Sequence, residues 1–101
     1  MQSPLIQKTV VISNAQGLHA RPAELLVRLA LQFESEVEVI RDDLCVDAKS
    51  ILNVLTLGAD QGTEVILQAR GADAQQAVEA IARLVENEFA TDETMSQESS
   101  G

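Results

Sequence analysis

The sequence contains a single cysteine and a single histidine in 101 residues, and it has no tryptophan or tyrosine. One cysteine excludes an internal disulfide, and one cysteine with one histidine cannot supply the three or four ligands of a usual zinc site. The only aromatic residues are two phenylalanines, so the stacking surfaces with which proteins bind single-stranded nucleic acids are not expected. We therefore predict neither a metal nor a cofactor.

Basic residues are few: seven lysines and arginines stand against 16 aspartates and glutamates, giving a net charge of −9 and a pI near 4.3. Nucleic acid is therefore excluded as the main partner, because binding its phosphates requires clustered Lys and Arg. No apolar run approaches the ~18 residues of a membrane span, and residues 1–4 lack the basic and apolar regions of a signal peptide. These observations predict a soluble, cytoplasmic, single-domain protein.

Seven segments have the hydrophobic periodicity of strands or helices. Strands are predicted for residues 6–13, 35–41, 44–46 and 63–70, and helices for about residues 20–33, 51–57 and 74–89. The order is therefore β-α-β-β-α-β-α. The strands are short and polar on one face, which favours an antiparallel sheet with helices on its other face, an α+β fold. A domain over residues 1–89 would be followed by a disordered acidic tail, residues 90–101, with too little apolar surface to fold.

The alternation of apolar and polar residues predicts which strand side chains face the core. Glu36 and Glu38 are expected to face solvent. Cys45 lies in a short apolar strand and is expected to be a buried packing residue. The apolar side chains predicted to face inward from the second and fourth strands are Val37, Val39, Val65, Leu67 and Ala69.

The most informative segment is residues 17–23 (GLHARPA), at the start of the first predicted helix. Gly17 permits a tight or left-handed backbone, and Pro22 suits the first helical turn, where its missing N–H is not needed. His19 lies just before the helix, whose first amides have no internal partner and carry the positive end of the helix dipole. The amides expected to bind an anion there are those of Ala20, Arg21 and Ala23.

This arrangement suits a phosphoryl group carried on the imidazole of His19. Imidazole is a fair nucleophile near neutral pH, a phosphate on it would meet the helix amides, and Arg21 could add a charge-assisted contact. The simpler interpretation is a histidine at the N-cap beside a structural arginine. The convergence of Gly17, His19, Arg21 and Pro22 at one helix start favours transient phosphorylation.

A second candidate segment surrounds Ser50, just before the predicted helix 51–57. Ser50 suits the N-cap position, and it is also a candidate phosphorylation site, because a phosphate is tolerated at a helix N-terminus. The two roles are compatible. Ile51 and Leu52 are adjacent, so both cannot point straight into the core; we expect an exposed apolar patch for a partner, with ordinary core packing as the alternative.

Two basic residues are candidates for contact with an acidic partner surface. Arg28 lies two helical turns after Arg21 on the same helix face, and together with Lys49 it could form a small basic rim. The alternative for Arg28 is a solvated surface charge.

Residues 17–23 resemble the active-site signature of HPr, the histidine-containing phosphocarrier family of the phosphoenolpyruvate:sugar phosphotransferase system. Residues 49–52 (KSIL), followed by residues 56–58 (TLG), resemble the regulatory serine segment of that family, and residues 71–73 (GAD) before the last helix are also similar. The resemblance covers about residues 6–89. It implies an HPr-like open-faced β-sandwich, a four-stranded antiparallel sheet covered by three helices on one face.

The resemblance also implies a function. His19 would accept a phosphoryl group from enzyme I on its Nδ1 atom, giving a pros-phosphohistidine, and donate it to enzyme IIA domains, with Arg21 assisting both transfers. Ser50 would be phosphorylated by HPr kinase/phosphorylase, weakening the productive encounter with enzyme I. Ile51 and Leu52 would lie on the shared docking surface. The protein would be a monomeric carrier without catalytic turnover of its own.

The sequence departs from the family pattern at Asn53, where many members with this serine segment have Gly, and residues 90–101 exceed the usual length. Alternatives are a binding module that acts through phosphorylated Ser50, or a carrier for a regulatory, nitrogen-linked phosphotransferase chain. His19 counts against an exclusively regulatory role. A small-ligand sensor with a βαββαβ sheet would predict a dimer and leaves the histidine unexplained, and a hydrolase would need a base–nucleophile pair that is not evident.

Overall fold

The computed structural model describes residues 4–90 of the chain. The elements are, in chain order, β1 (Leu5–Val11), α1 (Ala20–Ala30), β2 (Glu36–Arg41), β3 (Leu44–Asp47), α2 (Ile51–Leu55), β4 (Glu64–Arg70) and α3 (Ala74–Glu86). This is the predicted order. The element bounds differ most at the ends of α1 and α3, which stop three residues before Phe33 and Phe89.

Both helices end before the predicted residue because the backbone hydrogen bonds donated by Phe33 and Phe89 no longer join residues four positions apart. After α1, the amide of Phe33 donates to the carbonyl of Ala30, three residues back, at 3.1 Å. After α3, Glu88 and Phe89 adopt the left-handed conformation, with φ of 57° and 64°, and the amide of Phe89 donates to the carbonyl of Leu84 at 2.9 Å. Such left-handed residues close a helix by satisfying its last carbonyls. The Phe89 side chain is nevertheless buried.

The four strands form one open antiparallel sheet in the order β1-β4-β2-β3. Its register aligns Thr9 with Ile66, Ile66 with Ile40, and Ile40 with Cys45. Helix α3 packs across β1, β4 and β2, and α1 packs against α2 and α3. The predicted fold, an antiparallel sheet with three helices, is therefore confirmed.

The core lies between the sheet and the helices. The five strand residues predicted to face inward are all buried, with Val39 and Leu67 fully enclosed. The opposite sheet face is open and carries a chain of side-chain hydrogen bonds across three strands: Gln7 donates to Gln68 at 2.5 Å, and Gln68 donates to Glu38 at 2.6 Å. This polar face is why the strands alternate in sequence.

The prediction that Cys45 is buried is wrong. In β3 the alternation places Val46 in the core, 4% exposed, and leaves the Cys45 thiol exposed opposite Ile40 on the open face. Partial desolvation on the sheet and the neighbouring Glu38 carboxylate raise the pKa of the Cys45 thiol. A raised pKa leaves less of the reactive thiolate at neutral pH.

Asp73 joins the start of α3 to the segment before β2. Its carboxylate accepts hydrogen bonds from the backbone amides of Glu34 and Ser35, both at 2.9 Å, and from the Ser35 hydroxyl. The Ser35 hydroxyl, followed by the Glu34 amide, holds the pKa of Asp73 below its usual value. Gly71 is required beside this contact, because a Cβ there would lie 2.5 Å from the Ser35 Oγ.

One expectation concerns residues beyond this description. The predicted disordered tail over residues 90–101 lies, apart from Ala90, outside the described residues. Within residues 4–90, no helix is long and apolar enough to cross a membrane.

Candidate functional site

A tight loop before α1 presents the candidate histidine. Gly17 has φ +68°, and two hydrogen bonds close the loop: the Gly17 amide donates to the Asn14 carbonyl at 3.1 Å, and the Asn14 Nδ2 donates to the Gly17 carbonyl at 2.9 Å. A Cβ at Gly17 would lie 2.5 Å from the carbonyl oxygen of Ala59. Glycine is therefore required at position 17 by both backbone conformation and contact.

Asn14 is a positioning residue, because its side chain closes the loop before His19. Its side chain is 8% exposed, and among residues 4–90 its Oδ1 atom has no hydrogen-bond partner. A buried polar side chain is costly unless it is bonded, so the loop relies on the Nδ2 bond to Gly17. An asparagine five residues before a histidine at a helix start was the available signal.

The loop is anchored to the protein immediately before the histidine. Leu18 is buried, and its amide donates to the Ala59 carbonyl at 2.8 Å. His19 follows as the N-cap of α1, with extended backbone angles φ −79° and ψ −171°. Its side chain is exposed and, in the part of the chain that the structure describes, makes no capping hydrogen bond. The imidazole is thus held at the helix start by its backbone alone and faces solvent.

The first turn of α1 leaves two amides open, not the three that we predicted. Ala23 is the fourth helical residue, and its amide already donates to the His19 carbonyl at 2.9 Å. Pro22, one position earlier, has no N–H and is tolerated there. The amides of Ala20 and Arg21, which lie in the first helical turn, have no partner within the helix. These two amides lie at the positive end of the dipole of an 11-residue helix and are open to an anion.

Arg21 lies in the first turn with 63% of its side chain exposed, and its Nη1 atom is 3.2 Å from the Glu24 Oε1. An exposed ion pair of this kind is weak. The guanidinium can therefore exchange Glu24 for a more highly charged anion at little cost. Arg21 and His19 line different depressions on the surface, one on each side of the helix start.

The depression beside His19 has a volume of about 350 Å³. It lies between the start of α1 and the connection from α2 to β4, and Leu55 of α2 forms part of its wall. The lining residues are Leu18, His19, Ala20, Leu55, Gly58, Ala59 and Asp60. The histidine therefore shares a surface with the end of α2.

Helix α2 exposes an apolar patch, which we define as Ile51, Leu52 and Leu55. Leu52 is 74% exposed, and Ile51 and Leu55 are each 37% exposed. The predicted exposure of Ile51 and Leu52 is what the structure has. Leu55 was missed, although its spacing of three and four residues from the other two indicates one helix face. Because Leu55 also lines the depression beside His19, the patch is continuous with the site.

Ser50 is the N-cap of α2. Its Oγ accepts a hydrogen bond from the Asn53 amide at 3.4 Å and another from the Asn53 side-chain Nδ2 at 3.0 Å. Ser50 as a whole is half-buried. The capping role that the sequence predicted is therefore present, and residue 53 supplies both donors.

The two predicted rim residues differ in their surroundings. Arg28 is exposed in the last turn of α1, whereas Lys49 is half-buried and its Nζ donates to the Phe33 carbonyl at 2.7 Å. Lys49 therefore also stabilises the end of α1, a contact between residues 16 positions apart that periodicity does not reveal.

Arg41 is a second structural residue that sequence reasoning missed. Its Nη1 donates to the carbonyls of Leu57 and Gly58, at 2.7 Å and 2.8 Å. These bonds satisfy two backbone carbonyls just after α2. They hold the connection that supports Gly17 and lines the depression beside His19.

A comparison with known protein families identifies the family to which the chain belongs. Residues 6–87 match the family model described as "PTS HPr component phosphorylation site". The chain belongs to the HPr family. Family members are phosphocarrier proteins of the phosphotransferase system.

Relatives in the HPr family match nearly their full length. The phosphocarrier protein HPr of Treponema pallidum is 42% identical over 85 residues, 84% of this chain and 97% of the relative. The crystal structure of HPr-C-His from Thermoanaerobacter tengcongensis has a TM-score of 0.81 and 43% identity, covering 83% of this chain and 94% of that one.

A third relative forms a dimer in the crystal. It is Crh, the Bacillus subtilis catabolite repression containing protein, whose crystal structure is a dimer with a swapping domain. Its TM-score is 0.68 at 41% identity, covering 85% of this chain and 99% of that one. The HPr fold is therefore compatible with a dimeric assembly.

Proposed function

We propose that this HPr-family chain accepts a phosphoryl group from phospho-enzyme I on the Nδ1 atom of His19 and passes it to enzyme IIA domains. The observation that carries the proposal is the exposed, uncapped imidazole of His19 at the start of α1. In the accepting step a lone pair of the imidazole nitrogen forms the N–P bond. The bond from phosphorus to enzyme I breaks, and its electron pair stays with enzyme I.

The start of α1 supplies the charge stabilisation for this carrier state. A phosphate on His19 would receive hydrogen bonds from the Ala20 and Arg21 amides and lie at the positive end of the helix dipole. The Arg21 side chain would leave its weak pair with Glu24 for the phosphate, a stronger charge-assisted partner. Because the N–P bond is labile, the group remains transferable.

The partners would dock on the α2 patch beside the histidine. Ile51, Leu52 and Leu55 offer exposed apolar area that continues into the depression beside His19, and apolar patches of this kind mark interaction sites. Arg28 would contact an acidic rim of the partner, and Lys49 would contribute beside it. The protein would act as a monomeric cytoplasmic carrier, with no catalytic turnover and no cofactor.

Ser50 would be the regulatory site, phosphorylated by HPr kinase/phosphorylase. Ser50 lies next to the α2 patch, which the partners must cover. A phosphate on Ser50 would add a charge of about −1.5 to −2 to this surface at pH 7. Desolvating that charge would weaken the encounter with enzyme I.

The test is incubation with enzyme I and phosphoenolpyruvate, followed by mass spectrometry under mild conditions. We expect one acid-labile phosphate on His19, lost in His19→Ala and retained in Ser50→Ala, which is the matched control. A chain that stays unphosphorylated at His19 under conditions where another HPr is labelled would refute the carrier function.

A regulatory role without sugar transport is the second candidate, favoured by the 41% identity to Crh. In that case Ser50 would matter more than His19. Phosphorylation with enzyme I compared with phosphorylation by the ATP-dependent kinase ranks the two sites, and size-exclusion chromatography decides between a monomer and a dimer.

A further inference from the structure

Asn53 donates two hydrogen bonds to the hydroxyl oxygen of Ser50, the proposed regulatory site. Its Nδ2 donates to the Ser50 Oγ at 3.0 Å, and its backbone amide donates to the same oxygen at 3.4 Å. The second distance exceeds the usual range for an N–H···O bond, so the side-chain bond is the better of the two. A residue without a side-chain donor at position 53 would leave only the longer bond.

We propose that Asn53 is a positioning residue that slows phosphorylation of Ser50 and then holds the phosphate once it is attached. The inference rests on the proposed regulatory role of Ser50 and adds a residue that sets how readily this site is modified. It also gives the departure at position 53 a chemical consequence.

The slower phosphorylation follows from the lone pairs of the Ser50 hydroxyl. A serine hydroxyl has one donor and two acceptor lone pairs, and Asn53 engages both. In the transfer, an oxygen lone pair attacks the γ-phosphorus of ATP, the bond to ADP breaks, and the serine proton passes to a base of the kinase. One of the bonds from Asn53 must therefore be given up before the O–P bond can form.

The binding of the attached phosphate by Asn53 follows from the chemistry of phosphoserine. A phosphate carries three strong acceptor oxygens beside the same Nδ2 donor. A hydrogen bond to an ionised oxygen is roughly twice as strong as the neutral bond that it replaces. Asn53 would therefore favour the phosphorylated state and its doubly ionised form.

The first experiment measures the initial rate of Ser50 phosphorylation by an ATP-dependent HPr kinase. We expect Asn53→Ala to be phosphorylated about threefold to tenfold faster than the unchanged chain, the rate equivalent of one neutral hydrogen bond. Thr56→Ala is the matched control: the Thr56 hydroxyl bonds to the Asn53 carbonyl at 2.5 Å in the same region and does not bond to Ser50. Equal rates for Asn53→Ala and the unchanged chain would overturn the proposal.

A second measurement is independent of the kinase. With phosphoserine incorporated at position 50 during translation, phosphorus NMR follows the second ionisation of the phosphate. We expect its pKa to be higher in Asn53→Ala than in the unchanged chain by roughly half a unit, with Thr56→Ala unchanged. An identical pKa in Asn53→Ala and the unchanged chain would overturn the proposal.

The two measurements separate this inference from the function on which it rests. If the kinase labels Ser50 in none of the three proteins, the proposed regulation fails. The phosphorus titration then still decides whether Asn53 binds a phosphate at that position.

Discussion

Helices α1 and α2 begin in the same way and end up with opposite properties. Both have an extended residue at the N-cap, His19 and Ser50. The Ser50 side chain turns back onto its own helix and accepts hydrogen bonds there, whereas the His19 side chain leaves its helix uncapped and faces solvent. The difference shows that a helix start without a side-chain cap, which costs stability, keeps its first amides open to an anion.

The sharpest way to break the comparison is to give α1 the cap that it lacks. His19→Asp would remove the phosphoryl acceptor and place a carboxylate on the open amides. We expect complete loss of labelling by enzyme I and phosphoenolpyruvate, together with a gain in unfolding free energy of about 0.5–2 kcal/mol. Urea unfolding provides the second readout. An unchanged or lower stability would mean that the amides of Ala20 and Arg21 are not available to an anion.

Replacing Arg21 tests whether the open helix start needs a mobile cation. Arg21→Ala should reduce the rate of phosphoryl transfer to His19 by about 10- to 100-fold, the equivalent of a hydrogen bond to a charged group. Arg21→Lys is the matched control and should retain part of the rate, since it keeps the charge but not the planar fork. Rapid-quench kinetics measure both, and equal rates for all three proteins would contradict the assigned role.

The third prediction concerns the loop that holds the α1 start in place. Gly17→Ala introduces a Cβ at 2.5 Å from the Ala59 carbonyl, at φ +68°. We expect a loss of unfolding free energy of about 1–3 kcal/mol and slower labelling of His19, because the loop must shift. Gly62→Ala is the comparison: its φ is also positive, at +92°, but a Cβ there meets nothing within 4 Å. It should cost less stability and leave labelling unchanged.

Removing the cap of α2 should have the opposite effect on stability from adding a cap to α1. Ser50→Ala removes the cap of α2 and should lower the unfolding free energy by about 1 kcal/mol, without changing the labelling of His19 in the absence of the kinase. Thermal unfolding and the enzyme I assay measure the two properties. A loss of labelling in Ser50→Ala would show that the two helix starts are not independent.

The smallest expected effect comes from the third helix start, at Asp73. Its folded pKa is lowered, so its stabilising contribution is fully present above the unfolded value of about 3.9 and is lost as the pH falls through the lower folded value. Ser35→Ala removes the largest cause of the lowered pKa. Urea unfolding on either side of the unfolded value should show a smaller decrease with falling pH in Ser35→Ala than in the unchanged chain.

Local patterns in the sequence predict much of this fold, because they depend on neighbouring residues. Alternation in β2 and β4 identifies the buried faces of these strands, and Gly17 marks a left-handed position. Cys45 was misplaced because a strand of four residues is too short for its alternation to be read against a generally apolar composition. Ala23 was misassigned although the predicted helix start was right: residue 23 lies four positions after the N-cap His19, so its amide is the first helical donor.

Contacts between distant segments could not be predicted from these patterns. Lys49 bonds to the Phe33 carbonyl, and Arg41 bonds to carbonyls after α2. Both charged side chains serve backbone groups that no sequence motif identifies. The continuity of Leu55 with the depression beside His19 likewise depends on how α1 and α2 pack. The position of His19 was predictable, whereas the support for it was not.

The connection between α2 and β4 links these observations. Arg41 holds its beginning at Leu57 and Gly58, and its Ala59 carbonyl receives the Leu18 amide and abuts Gly17. The connection is therefore held by Arg41 on one side and by the loop before α1 on the other, so its length cannot change freely. Inserting one residue there would displace the imidazole about 40 positions earlier in the chain, so changes in loop length should be tolerated far better at the exposed Asp42–Asp43 hairpin turn.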